Sequence, residues 1–245
     1  MAVSERTREA LDTIEKLASI ETRREVLLKL KSDHDAWSWK AALDDPWWFM
    51  RHFCKTRNEH ATTDDPYQPF PELDYLRHTL DVWQKVEARP ANRILLVAKS
   101  RQMMVSWVAC AMVLWNCLSK KGKRVGWQSK KSEDADQMLE RIYGLYSRLP
   151  EAVRQAHPLE RKEFLLRFPA TDCNVHAIPQ GPDQVRSYTW SLFVSDEMAF
   201  QKDDDEAYYA LLPALGKVGM AVLISTAGPG HFEQLFADQI VAALR

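Results

Sequence analysis

Three apolar runs that each stop abruptly on polar groups constrain this chain more than any other feature. Ile94-Leu95-Leu96-Val97-Ala98 runs into Lys99-Ser100-Arg101, Leu192-Phe193-Val194-Ser195 into Asp196-Glu197, and the run from Gly219 into Ser225-Thr226-Ala227-Gly228-Pro229. Runs of five or six residues without polar alternation are the pattern of strands buried on both faces. Helical patterns separate them, so the reading is of βαβ crossovers: an α/β fold with a mostly parallel sheet flanked by helices. In such sheets ligands bind outside the carboxyl ends of the strands, where all three polar groups fall.

The first of these exits reads as a phosphate loop whose lysine has moved. An ordinary loop, G-x-x-x-x-G-K-[ST], cradles phosphates with backbone N–H groups, neutralises them with its Lys and offers a hydroxyl to Mg²⁺. With Ser106 at the hydroxyl position, Val105 stands where that Lys belongs, Met104 where the second Gly belongs and Lys99 where the first Gly belongs. Glycine is normally required there for close backbone approach and positive φ. Lys99 and Arg101 would also suit a basic surface turn, and Asp196-Glu197 a strand-terminating turn. Taken in order along the chain, the loop and the acid pair point to an anion site.

Lys99-Ser100-Arg101-Gln102-Met103-Met104-Val105-Ser106-Trp107, Gln128 through Ala135, Pro69-Phe70-Pro71 and Asp196-Glu197-Met198-Ala199-Phe200 together resemble the ATPase domain of the large terminase subunit of tailed bacteriophages. The likeness covers roughly 45–236. In that family a loop with its Lys at the start is a known variant; the departure here is Met104, where the family usually keeps Gly. The resemblance implies a phosphate-loop NTPase fold of the ASCE type that hydrolyses ATP with Mg²⁺ to move double-stranded DNA into a procapsid. It assigns Lys99, Ser100, Arg101, Gln102, Met103, Met104, Val105 and Ser106 to ATP binding, with Lys99 and Arg101 as catalytic cations. Ser106 and Asp196 are the expected magnesium ligands, and Glu197 the group that orients or deprotonates the attacking water. Arg186 is the implied arginine finger, donated to a neighbouring subunit. Arg148, Arg154 and Arg161 are competitors, and a plain surface arginine is the alternative. Ser225, Thr226 and Ala227 match the coupling motif, though Ser-Thr before Gly-Pro is also an ordinary turn. The implied partners are the portal protein, the small terminase subunit and further copies of the chain in a ring, expected to be a pentamer. The implied location is the host cytoplasm, at the procapsid portal. A complete large terminase also carries a nuclease domain; no nuclease is expected from this chain. Two other classes stay open at this point: a helicase-like translocase and a non-hydrolysing nucleotide-binding module.

Composition narrows the alternatives. In 245 residues, 33 basic side chains against 34 acidic ones give a net charge of −1, so DNA contact must come from a local patch or a ring of subunits. The candidates are Lys120, Lys121, Lys123 and Arg124, and Lys130-Lys131. Cys54, Cys110, Cys117 and Cys173 have neither C-x-x-C nor zinc spacing. Cys110 and Cys117, two helical turns apart, read as core in a reducing compartment. The longest apolar run, 107–113, is far short of the roughly 20 residues that span a bilayer, and the N-terminus lacks the apolar stretch of a secretory signal. A soluble intracellular protein with no membrane partner is expected.

Along the chain, 1–45 reads as a helical appendage and 46–245 as the ATPase domain. Leu11, Ile14, Leu17 and Ala18 form one stripe, and Thr22 opens a capping box. Asp45-Pro46 starts a short aromatic helix. A proline-bearing loop spans 58–71 and a helix 72–88; that loop or Gln84 is a candidate for adenine contact. Further strands are expected over 93–98, 124–128, 163–168, 174–178, 190–195 and 220–225, the third and fourth as a hairpin. Helices are expected over 106–118, 132–148, 203–212 and 232–244.

Overall fold

The computed structural model describes residues 31, 34–58, 64–228 and 230–243. The stripe at Leu11 to Ala18 and the capping box at Thr22 lie outside the described residues. A helical stretch over 34–44 leads into α1 (Pro46–Phe53), whose N-cap Asp45 accepts a hydrogen bond from the Trp47 N–H. Ala42 is buried in the main core and its carbonyl accepts from Trp115 Nε1 at 2.9 Å, so this stretch docks one face while residues 34–37 stay exposed.

The apolar runs become β3 (Ile94–Ala98), β8 (Leu192–Asp196) and β9 (Met220–Ser225), after an antiparallel pair β1 (Lys55–Arg57) and β2 (Tyr67–Pro69). With β4 (Arg124–Gln128), β5 (Glu160–Lys162), β6 (Leu165–Phe168) and β7 (Cys173–Ile178) they form a seven-stranded sheet ordered β3-β9-β8-β4-β7-β6-β5. The first five of these are mutually parallel; β6 and β5 close the far edge antiparallel. The parallel α/β fold read from the sequence is therefore present, and β6 with β7 is the expected hairpin.

Alternate residues serve the two faces, the period-two rule of a strand. Leu192, Val194, Met220, Val222 and Ile224 enter one apolar cluster; Phe193, Ala221 and Leu223 enter the other. The first face carries α2 (Asp74–Glu87), α3 (Val105–Ser119) and α4 (Ser132–Ser147), with α5 (Glu151–Ala156) beside them. The second carries α6 (Pro182–Arg186), α7 (Asp204–Leu215) and α8 (His231–Ala243). Helix α3 is buried continuously from Val108 to Leu118, as expected of a helix apolar on every side. Cys54, Cys110, Cys117 and Cys173 are all free and buried.

Register fixes where chemistry can occur. Ala98 pairs with Ser225, Asp196 with Ile224, and Gln128 with Ser195. The carboxyl ends of β3, β9, β8 and β4 therefore finish at one level, and whatever follows each strand meets along one edge. Among the described residues no helix is long and apolar enough to cross a membrane.

Candidate active site

The turn after β3 makes two left-handed residues without a glycine. Gln102 has φ 64° and Met104 φ 55°, and Met104 is the N-cap of α3. An L-residue in that region costs about 1–2 kcal/mol, so the demand for Gly at Met104 is met by strain instead. Packing of Met103 and Met104 against the main core holds the turn in place. Val105 begins the helix buried, and the Ser100 N–H points at Met103 Sδ, 3.2 Å away. A β-branched side chain tolerates positive φ least. Met104→Ile is therefore expected to lower unfolding free energy by about 1–2 kcal/mol, measured by urea denaturation. An unchanged midpoint would remove the strain from this turn.

The acid pair meets that turn from β8. Ser106 Oγ lies 3.1 and 3.4 Å from the two Asp196 carboxylate oxygens. Lys99 Nζ donates to Glu197 Oε1 at 2.7 Å, its side chain 10% exposed against 35% for Glu197. Glu197 is itself left-handed, φ 54°, and starts a 3₁₀ turn over Met198–Phe200. Its other oxygen accepts from the Thr226 N–H at 3.3 Å and the Thr226 hydroxyl at 3.1 Å. Ser225 ties the three strand ends together: its carbonyl accepts from the Lys99 N–H at 2.9 Å and its hydroxyl from the Ala199 N–H at 3.1 Å.

Burial pushes the Asp196 carboxyl above its ordinary value; Lys99, the Ser106 hydrogen bond and Arg141 pull it partly back while Glu197 adds to the rise. Burial acts the same way on Glu197, but hydrogen bonds from Lys99 and Thr226 and the Lys99 charge together leave it below its ordinary value. The two neighbours are thus driven apart, one toward holding a proton or a cation and one toward staying ionised. Among the described residues no group of three or more His, Cys, Asp or Glu side chains could hold a metal. A buried carboxylate beside one hydroxyl, short of cationic contact, suits Mg²⁺, which takes few protein oxygens and keeps waters and phosphate oxygens for the rest.

Beside these groups lies a hollow of about 380 Å³ lined by Arg101, Asp196, Glu197 and Thr226 together with Ser129, Lys130, Asp134, Gln137, Met138 and Phe200.

No protein-family model matches the chain, and no curated protein does. Solved structures do. The large terminase of bacteriophage HK97 superposes with TM-score 0.63 at 12% identity, over 82% of this chain and 41% of that one. A variant of the ATPase domain of the Thermus phage P74-26 large terminase gives TM-score 0.51 at 18% identity, over 67% of this chain and 74% of that one. This chain has the fold of a phage large terminase ATPase domain. It spans about two fifths of the length of the HK97 terminase.

Within that terminase fold, Lys99, Arg101, Ser106, Asp196, Glu197, Ser225 and Thr226 come together at one edge. Ala227 faces a separate apolar hollow with Ala98, Phe232 and Phe236. Arg186 is not among the residues lining this hollow; it is exposed on α6, bonded to Asp183 one turn away at 3.2 Å. Of the competing arginines, Arg161 is paired with Asp136 and Glu140, Arg154 bonds the Leu149 carbonyl, and Arg148 lies over Tyr67. In the basic cluster before β4, Lys120 is already paired with Glu87. Ser129, Lys130, Asp134, Gln137 and Met138, which also line the hollow, carry no site signal of their own in the sequence, although Gln128 to Ala135 is among the stretches carrying the resemblance.

Proposed function

We propose that this chain is the ATP-hydrolysing motor domain of a DNA-packaging large terminase. The observation that carries this reading is the meeting of two segments about a hundred residues apart: Lys99 bonds Glu197, Ser106 bonds Asp196, and Arg101 lines one hollow with both carboxylates.

The backbone N–H groups of the 99–106 turn and the N-terminal end of α3 face incoming phosphates, where the helix dipole favours negative charge. Arg101 offers a planar fork suited to paired phosphate oxygens. Ser106 and Asp196 would hold Mg²⁺, which when bound would neutralise charge on the β- and γ-phosphate oxygens. Glu197, kept ionised by Lys99 and Thr226, is the group placed to orient and deprotonate the attacking water. Arrival of a triphosphate draws Lys99 toward phosphate and frees Glu197 for that task. Thr226 holds the same carboxylate, and Ser225 bonds both Lys99 and Ala199. A change at the γ-phosphate is thereby passed into β9 and the 3₁₀ turn, the coupling role proposed for Ser225, Thr226 and Ala227.

Around this centre the remaining proposals follow. Arg186 acts on the neighbouring subunit's ATP within a homo-oligomeric ring. Double-stranded DNA is the translocated partner, with the portal protein and small terminase subunit as docking partners at the procapsid in the host cytoplasm. The test is magnesium-dependent release of phosphate from ATP by the purified chain across protein concentrations, with Asp196→Ala beside it. Activity that vanishes on chelation and in the variant is expected; phosphate release that survives both would refute the proposal.

A further inference from the structure

Building on the ATPase reading, we infer that Lys130 is a cation acting within the same subunit on the terminal phosphate of the bound nucleoside triphosphate. An ordinary phosphate loop places a lysine directly before the hydroxyl residue; here that position is Val105, apolar and buried. The loop's own lysine, Lys99, is engaged by Glu197 at 2.7 Å. Even with Mg²⁺ bound, the triphosphate together with the Asp196 and Glu197 carboxylates carries more negative charge than Lys99 and Arg101 neutralise, so a further cation on the γ-phosphate side has a role to fill.

Topology supplies it. β4 lies beside β8 with Gln128 opposite Ser195, so Lys130, two residues beyond Gln128, leaves the sheet at the level of Glu197, two residues beyond Ser195. Lys130 lines the same hollow as Arg101, Asp196 and Glu197. Among the described residues no carboxylate is paired with Lys130, in contrast to Lys99, Lys120 and Arg161. Gln128 anchors the exit of β4 by donating from Nε2 to the carbonyls of Pro179 at 3.0 Å and Gly181 at 3.4 Å. The lysine is thus carried on a fixed strand end and free at its tip, the arrangement of a group that waits for an anion.

The chemistry separates this role from general phosphate attraction, because a cation on the γ-phosphate distinguishes triphosphate from diphosphate. Affinities of the full chain for ATPγS and for ADP, with Mg²⁺, are to be measured by calorimetry for wild type, Lys130→Ala, Lys130→Arg and a Lys217→Ala control from an exposed loop. Loss of one charge-assisted contact corresponds to about tenfold. Lys130→Ala is expected to weaken ATPγS about tenfold while ADP stays within about twofold, with most of the loss restored in Lys130→Arg. Unchanged ATPγS affinity, or an equal fall for both nucleotides, overturns the inference and leaves the ATPase reading standing. A wild-type chain that binds neither nucleotide overturns the ATPase reading, and this inference with it.

Discussion

Glu197→Gln is expected to lower ATP turnover by about 10²- to 10⁴-fold, the range for loss of a general base, while ATPγS affinity stays at or above that of wild type. The amide keeps the shape of the carboxylate and can still accept from the Thr226 N–H and hydroxyl, so the strand end should not rearrange. It cannot take a proton from water. It also gives up the ion pair with Lys99, leaving that ammonium for phosphate, which is why binding should not weaken. Single-turnover phosphate release together with equilibrium ATPγS binding checks both halves. Wild-type turnover in the variant would remove Glu197 from catalysis, and lost binding would make it a structural residue.

Arg186→Ala carries the other large effect. An arginine finger is worth about 10³ to 10⁵ in rate, and Arg186 stands exposed outside its own subunit's hollow, held by Asp183 on the same short helix. The proposed finger would thus act on a neighbour's nucleotide. Wild-type activity should therefore rise more steeply than linearly with protein concentration. Adding the Arg186→Ala chain to wild type at fixed total concentration should depress activity by more than dilution. A mixture whose activity simply scales with its wild-type fraction would reassign the finger.

The sheet and the two segments of the candidate site were legible because they are written in uninterrupted residues. β4 and β9 begin and end at the expected bounds, 124–128 and 220–225, and β3 starts one residue later than expected. Helix α7 was not legible past 212, because Pro213 reads as a stop. In the structure Pro213 sits in the last turn and Gly216, at φ 58°, ends the helix. β1 is Lys-Thr-Arg and β2 falls in the proline-bearing stretch that reads as loop, while β5 is three residues of Glu-Arg-Lys, with no apolar signal at all. Strand order was the deepest omission. Nothing local says that β8 and β9 insert between β3 and β4, and without that order Lys130 and Gln137 cannot be seen to share a hollow with Asp196. Met104 misled in the opposite sense. The glycine rule describes what is cheap, and this turn adopts the same backbone at a cost that its packing offsets.

The central claim, that the Lys99 turn and the β8 carboxylates serve one triphosphate, is tested most directly by ATPγS binding with and without Mg²⁺ in wild type, Lys99→Ala and Asp196→Ala. Wild-type affinity should depend on Mg²⁺, Asp196→Ala should lose that dependence, and Lys99→Ala should bind more weakly whether or not the metal is present. Two variants that both bind ATPγS as wild type does, with its metal dependence intact, would contradict the claim.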